Sequence, residues 1–118
     1  MEIPSNDRRI DYIEFPAGDL AATKAFYIRV FGWKFTDYGP DYTSFEDGRI
    51  AGGFWKRNKV TAGGGPLVVI YAAGLARMEE IVRAEGGAIV KEIFSFPGGR
   101  RFQFTDPSGN ELAVWSDK

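Results

Sequence analysis

The feature that most constrains the fold of this chain is a repeat. Ile10 to Trp33, IDYIEFPAGDLAATKAFYIRVFGW, reads as a strand, a tight turn, a capped helix and a glycine stop before another strand. A looser copy starts near Pro66. Asp19-Leu20 corresponds to Gly74-Leu75, 55 residues later, and Phe45-Glu46-Asp47-Gly48 is echoed around Phe104-Thr105-Asp106. Two βαβββ units are the simplest reading of that repeat, and at 118 residues they make one domain, 1–118, with a core of useful size.

The local chemistry of each copy supports the reading. Arg9–Pro16 alternates, with Ile10, Tyr12 and Glu14 on one face and Asp11, Ile13 and Phe15 on the other, as in a strand. Pro16-Ala17-Gly18 ends it, and Asp19 stands where a side-chain oxygen can accept from a free backbone N–H of the helix start. Thr23, Phe26, Tyr27, Val30 and Phe31 form one stripe at helical spacing, and Gly32 can take the left-handed conformation that closes the helix. Short strands are predicted over Trp33–Tyr38, Tyr42–Glu46 and Ile50–Trp55, with Tyr38-Gly39-Pro40-Asp41 and Asp47-Gly48 as turns. In the second half, Pro66–Ala72 is a strand and Gly74–Glu85 a helix with Leu75, Met78, Ile81 and Val82 as its apolar stripe. Glu79 and Arg83 form an i,i+4 pair on that helix, which Gly86-Gly87 stops. Strands follow over Ala88–Phe94, Arg101–Thr105 and Glu111–Ser116, giving an α+β chain with modules over about residues 8–57 and 65–117. Between them, Lys56–Gly65 (KRNKVTAGGG) reads as a connector, or as a flap over a ligand cleft. Its glycines precede a strand rather than open a helix, so it is not a phosphate-gripping loop.

Composition removes several function classes. The net charge is −1, with 15 basic and 16 acidic residues mixed along the chain, so there is no electrostatic footprint for nucleic acid. No apolar run approaches the roughly 20 residues that span a bilayer. Met1–Arg9 is polar without an apolar signal core, which reads as cytoplasmic. The absence of cysteine excludes disulfides, thiolate nucleophiles and Cys-type zinc sites. The absence of histidine removes the commonest metal ligand and the side chain that titrates nearest neutral pH.

Three stretches together resemble the vicinal oxygen chelate superfamily of glyoxalases, bleomycin-resistance proteins and extradiol dioxygenases. They are the strand into Asp19-Leu20 with Phe26-Tyr27 and Phe31-Gly32-Trp33 after it, the Gly86-Gly87 boundary, and FTDPSGNELAVW at 104–115. The resemblance implies two βαβββ modules whose sheets curve into one cup-shaped mixed sheet, helices outside and site inside. It also implies four metal-ligand positions, which fall here at Tyr12, Leu67 and Ala113 and, to within a residue or so, at Gly52. That set cannot cage a divalent cation, so no metal and no cofactor are expected. In the family's isomerases the metal polarises substrate oxygens and a metal-bound glutamate moves the proton, and both are missing from their usual places.

Alternation from the first-strand position puts Tyr12 and Glu14 in the cup, with Ile50, Gly52 and Phe54, then Leu67, Val69 and Tyr71, then Glu111, Ala113 and Trp115. This aromatic, mostly apolar lining with one or two carboxylates suits a small-molecule pocket. The candidate ligand-binding residues are Tyr12, Glu14, Phe54, Tyr71, Arg101 and Trp115, with Arg100 or Arg101 placed to reach an anion or to pair with Glu14 across the cup. The expected function is metal-free binding of a small organic ligand. The alternative is a glyoxalase- or dioxygenase-like lyase or isomerase using Tyr12 and Glu14. A homodimer is expected, with Trp33 or Trp55 as exposed aromatics for a two-fold contact.

Overall fold

The computed structural model describes residues 7–61, 63 and 65–118. Met1–Asn6 of the polar N-terminal stretch, and Ala62 and Gly64 of the glycine-rich run, lie outside the described residues. The elements follow the repeat: β1 (Tyr12–Ala17), α1 (Leu20–Phe31), β2 (Lys34–Asp37), β3 (Tyr42–Glu46) and β4 (Ala51–Lys56), then β5 (Val68–Tyr71), α2 (Leu75–Ala84), β6 (Ala88–Phe96), β7 (Gly99–Thr105) and β8 (Glu111–Ser116). Each half builds a four-stranded mixed sheet, ordered β1-β4-β3-β2 and β5-β8-β7-β6. The first strand of each module lies parallel to its last, and the other pairings are antiparallel. The two sheets are not closed into a barrel, and the ladder of β1 is with β4 of its own module.

Helix α1 starts at Asp19, whose side chain accepts from the backbone N–H of Ala22 at 3.0 Å, and ends at Gly32 with φ +71°. Its expected stripe is buried: Thr23, Phe26, Tyr27 and Val30 point inward, with Phe31 partly covered. Helix α2 buries Leu75 and Val82 with Met78 and Ile81 beside them, and carries the Glu79–Arg83 pair at 3.7 Å. One hairpin is longer than the sequence reading. β6 continues to Phe96 and β7 begins at Gly99, so the turn is only Pro97-Gly98, with Gly98 at φ +108° after a residue whose φ is fixed by its ring.

One apolar core joins the halves. It contains Phe15, Phe45 and Phe54 from the first sheet, Phe102, Phe104, Leu112 and Val114 from the second, and the inner faces of both helices. Phe26 of α1 meets Phe104 at 6.0 Å between ring centroids while the next residue, Tyr27, meets Phe54 at 5.2 Å. Trp33, expected as an exposed contact residue, is instead buried, stacked between Tyr27 at 4.6 Å and Phe45 at 4.4 Å. Burying each of these large side chains is worth about 1.5–3 kcal/mol, which is why Trp33 turns inward before the largely exposed β2 begins.

Polar contacts clamp the second module onto the first. Asn110 donates from Nδ2 to the Pro16 carbonyl at 2.7 Å, the Gly18 amide donates to Ser108 Oγ at 3.1 Å, and the hydroxyls of Thr23 and Ser108 are bonded to each other. Asp106 at the start of the same turn accepts from the Tyr27 hydroxyl at 2.9 Å. The DPSGN segment is therefore a latch as well as a turn.

Candidate functional site

Residues directly opposed in a sheet share a face, so the pairings show which side chains the helices leave uncovered. In the first sheet Tyr12 opposes Ala51, Glu14 opposes Gly53, and Gly53 opposes Ser44, while Tyr42 opposes Trp55. The helix-free face therefore carries Tyr12, Glu14, Tyr42, Ser44 and Trp55. The opposite face carries Ile13, Phe15, Gly52, Phe54 and Phe45, all packed into or against the core or buried. Phe54, expected in the cup, is fully buried on the helix side, and Gly52 lies on that side with it. The sequence reading is one residue out of phase in β4, and a one-residue slip moves every side chain to the other face.

The helix-free face holds a compact polar cluster. Tyr42 donates its hydroxyl to Glu14 Oε2 at 2.8 Å and is bonded to the Tyr12 hydroxyl, which also meets Ser44 Oγ at 3.2 Å. Ser44 in turn donates to the Gly52 carbonyl at 3.0 Å. Gly53 makes the cluster possible: a Cβ there would stand 2.1 Å from Tyr42 Oη and 2.9 Å from Tyr12 Oη. Loss of hydration first, then the neighbouring Tyr12 hydroxyl and the Glu14 carboxylate, push the Tyr42 pKa above its ordinary value. Tyr42 stays a donor at any physiological pH. Tyr42 and Ser44 were missing from the sequence reading, although their alternation with buried Thr43 and Phe45 in β3 carries the signal.

The second sheet presents Tyr71, Trp115, Arg101, Gln103, Glu111 and Ala113 on its helix-free face. Tyr71 meets Trp115 edge to face at 5.3 Å and donates its hydroxyl to Asp117 at 2.7 Å. The Arg101 guanidinium lies 5.3 Å from the Phe94 ring centroid and 5.8 Å from that of Phe96. Gln103 donates to Glu111 Oε2 at 2.8 Å. Neither arginine reaches Glu14: Arg101 sits among phenylalanines and Arg100 donates to the Lys118 carbonyl. The expected site residues thus divide into two groups, Tyr12 with Glu14 on one sheet and Tyr71, Arg101 and Trp115 on the other, with Phe54 removed to the core. Tyr71 and Trp115 also reach one end of an open groove of about 1120 Å³, whose walls include Ile13, Phe15, Trp33, Val68 and Met78.

The sequence profile of the glyoxalase/bleomycin resistance protein/dioxygenase superfamily matches residues 9–114. The chain belongs to that superfamily. Its fold is that of a glyoxalase/bleomycin resistance protein/dioxygenase family enzyme from Burkholderia phytofirmans PsJN, at a TM-score of 0.81 and 18% identity over 92% of this chain and 100% of that one. A glyoxalase-related enzyme from Fulvimarina pelagi gives 0.78 at 21% identity, covering 92% and 88%. An E126Q mutant of the fosfomycin resistance protein FosX from Listeria monocytogenes, solved with Mn(II) and 1S,2S-dihydroxypropylphosphonic acid, gives 0.80 at 16%, covering 92% and 89%. No curated protein sequence matches the chain.

Superfamily membership raises the question of a metal, and the donors here do not fit one. At the four expected positions Tyr12 offers a hydroxyl already engaged with Tyr42, while Gly52, Leu67 and Ala113 offer no side-chain donor. Moving from Gly52 to Gly53, which shares the open face, changes nothing. No group of three or more His, Cys, Asp or Glu side chains converges among the described residues. No helix among them is long and apolar enough to cross a membrane.

Proposed function

We propose that this superfamily member binds a small organic ligand on the helix-free faces of its sheets, without a metal or other cofactor, as a cytoplasmic homodimer. The supporting observation is the hydrogen-bonded cluster of Tyr12, Tyr42, Ser44 and Glu14 at the place where the superfamily would put its first metal ligand. A carboxylate bonded to Tyr42, with Tyr12 bonded to that tyrosine in turn, offers a charge for an amine or hydroxyl, and the two rings offer rigid contact area. Across the fold, Tyr71 and Trp115 extend the aromatic surface.

Glu14→Gln keeps the shape and removes the charge, so it should weaken ligand binding with little effect on folding. Native mass spectrometry of untagged protein is expected to reveal an organic adduct that the variant loses. An adduct retained undiminished by Glu14→Gln removes Glu14 as anchor. Chelator should leave the melting temperature unchanged, and stoichiometric Zn, Ni, Fe or Mn in untagged protein would overturn the metal-free reading.

The enzymatic alternative has one observation in its favour: a carboxylate and a phenol held protonated lie within hydrogen-bond distance of each other. Such a pair can take a proton at Glu14 Oε and offer one from Tyr42 Oη, the work of a metal-independent isomerase or lyase. Turnover in a substrate screen, abolished by Tyr42→Phe, would establish it.

A further inference from the structure

Among the described residues, Arg101 is a cation without a counterion. Its Nε is buried and meets no acceptor, and among the described residues no carboxylate lies within 4.0 Å of its guanidinium. Lys91 is in the same position, its ammonium 5.4 Å from the centroid of the Phe94 ring that Arg101 also faces. The carboxylates on hand are otherwise engaged: Glu111 with Gln103, Asp117 with Tyr71, Glu92 with Arg83. Phe94 and Phe96 flank the guanidinium, and Phe96 continues to Trp115 at 6.3 Å.

Lys91 is exposed and hydrated, whereas Arg101 is half-covered beside the same ring, so the arginine is the cation that gains most from an anion. The rings flank the guanidinium and its Nε is already out of water, so part of its hydration is lost before any partner arrives. Nε lies too deep for a ligand, but the two Nη groups are not buried and can grip an anion in a bidentate manner, a geometry that a carboxylate matches. The neighbours of the fork are aromatic, so the anion's body must be apolar.

The geometry points to an organic carboxylate with an aromatic or otherwise flat apolar body as the ligand of this patch. Arg101 would hold the carboxylate, Lys91 would add charge, and Trp115 and Tyr71 would cover the body. This assignment rests on the reading of the open faces as ligand-binding surfaces and narrows it to an acid.

Titration calorimetry with 2-naphthoate and its uncharged counterpart 2-naphthylmethanol tests it on the full chain. Naphthoate should bind about tenfold or more tightly than the alcohol, the scale of a charge-assisted hydrogen bond. Arg101→Gln should remove that advantage while leaving the alcohol's affinity unchanged, and Arg101→Lys should keep part of it. If both compounds bind equally and Arg101→Gln alters neither, the faces bind ligands but the acid assignment is wrong. If neither compound binds saturably to the wild type, the acid assignment fails, while the open-face reading is decided separately by the adduct in native mass spectrometry. Light scattering on the same variants covers the remaining case: should Arg101→Gln dissociate a dimer, the guanidinium pairs with a second copy and the assignment is overturned.

Discussion

Asp106 is a carboxylate only 4% exposed, yet it is not a binding group waiting for a ligand. It accepts from the Tyr27 hydroxyl, from the backbone amides of Ser108 and Asn110, and from Asn110 Nδ2. Burial raises its pKa above the ordinary 3.8, and these hydrogen bonds pull against the rise without cancelling it. The folded state therefore holds a proton that the unfolded chain releases. Stability from that proton is complete below pH 3.8 and is lost as pH climbs through the raised folded value. Asp106→Asn cannot titrate, so urea unfolding from pH 4 to pH 7 should have a shallower pH slope in the variant. Its amide also brings a donor among donors, at a cost of about 1–3 kcal/mol. An unchanged slope would assign the titration to another group.

At the scale of elements, the two glycines of β4 do opposite jobs. A Cβ at Gly52 would lie 2.2 Å from the Ile13 carbonyl oxygen and 2.4 Å from the Phe45 ring, on the core side. A Cβ at Gly53 would meet tyrosine hydroxyls, which can swing away. Gly52→Ala should therefore destabilise the fold, by about 1–3 kcal/mol in chemical denaturation, as overpacking does. Gly53→Ala should leave the core intact and break the Tyr12–Tyr42–Glu14 bonds, which would be visible as altered tyrosine absorbance in titration. Equal losses of stability in the two variants would contradict this division. The same two residues mark where the sequence was legible and where it was not. Alternation in β1 placed Tyr12 and Glu14 correctly, and in β8 it placed Trp115, because each of those strands has a clear apolar partner face. The stretch Gly52-Gly53 has no side chains to declare a phase, so Phe54 was put on the wrong face. Arg101 was found as a candidate, but its companions Phe94 and Phe96 were not, since the hairpin through Pro97-Gly98 that brings them together is longer than its composition suggests.

For the whole molecule, the radius of gyration is 15.0 Å, larger than the roughly 13–14 Å of a compact chain of this length. The excess has a visible source: two sheets with helix-free faces, edge strands β1 and β5 with no outer partner among the described residues, and the apolar groove between modules. Half-buried Ile13, Val68 and Ile70, with exposed Val69 and Tyr71, make this a surface on which a second copy could settle. Light scattering at tens of micromolar should therefore give the mass of a dimer, and a charge at exposed Val69 on the groove, Val69→Glu, should give a folded monomer. A monomeric mass for the wild type would exclude a stable dimer. The repeat made the architecture readable, because each copy's strand, cap and glycine stop are local signals. The relation between the copies was not readable, because it rests on contacts between residues far apart in the chain.

The latch formed by the last turn sets a timetable for synthesis. Pro16 and Asn110 are 94 positions apart, and Ser108 is 90 from Gly18. While a ribosome is still making the second module, the first has its β1–α1 corner without these partners, and the buried Tyr27 hydroxyl has no acceptor. The front half of this protein is thus a structure in waiting: its own aromatic core can begin to collapse, but these bonds at its β1–α1 corner form only after residues 106–110 have been made.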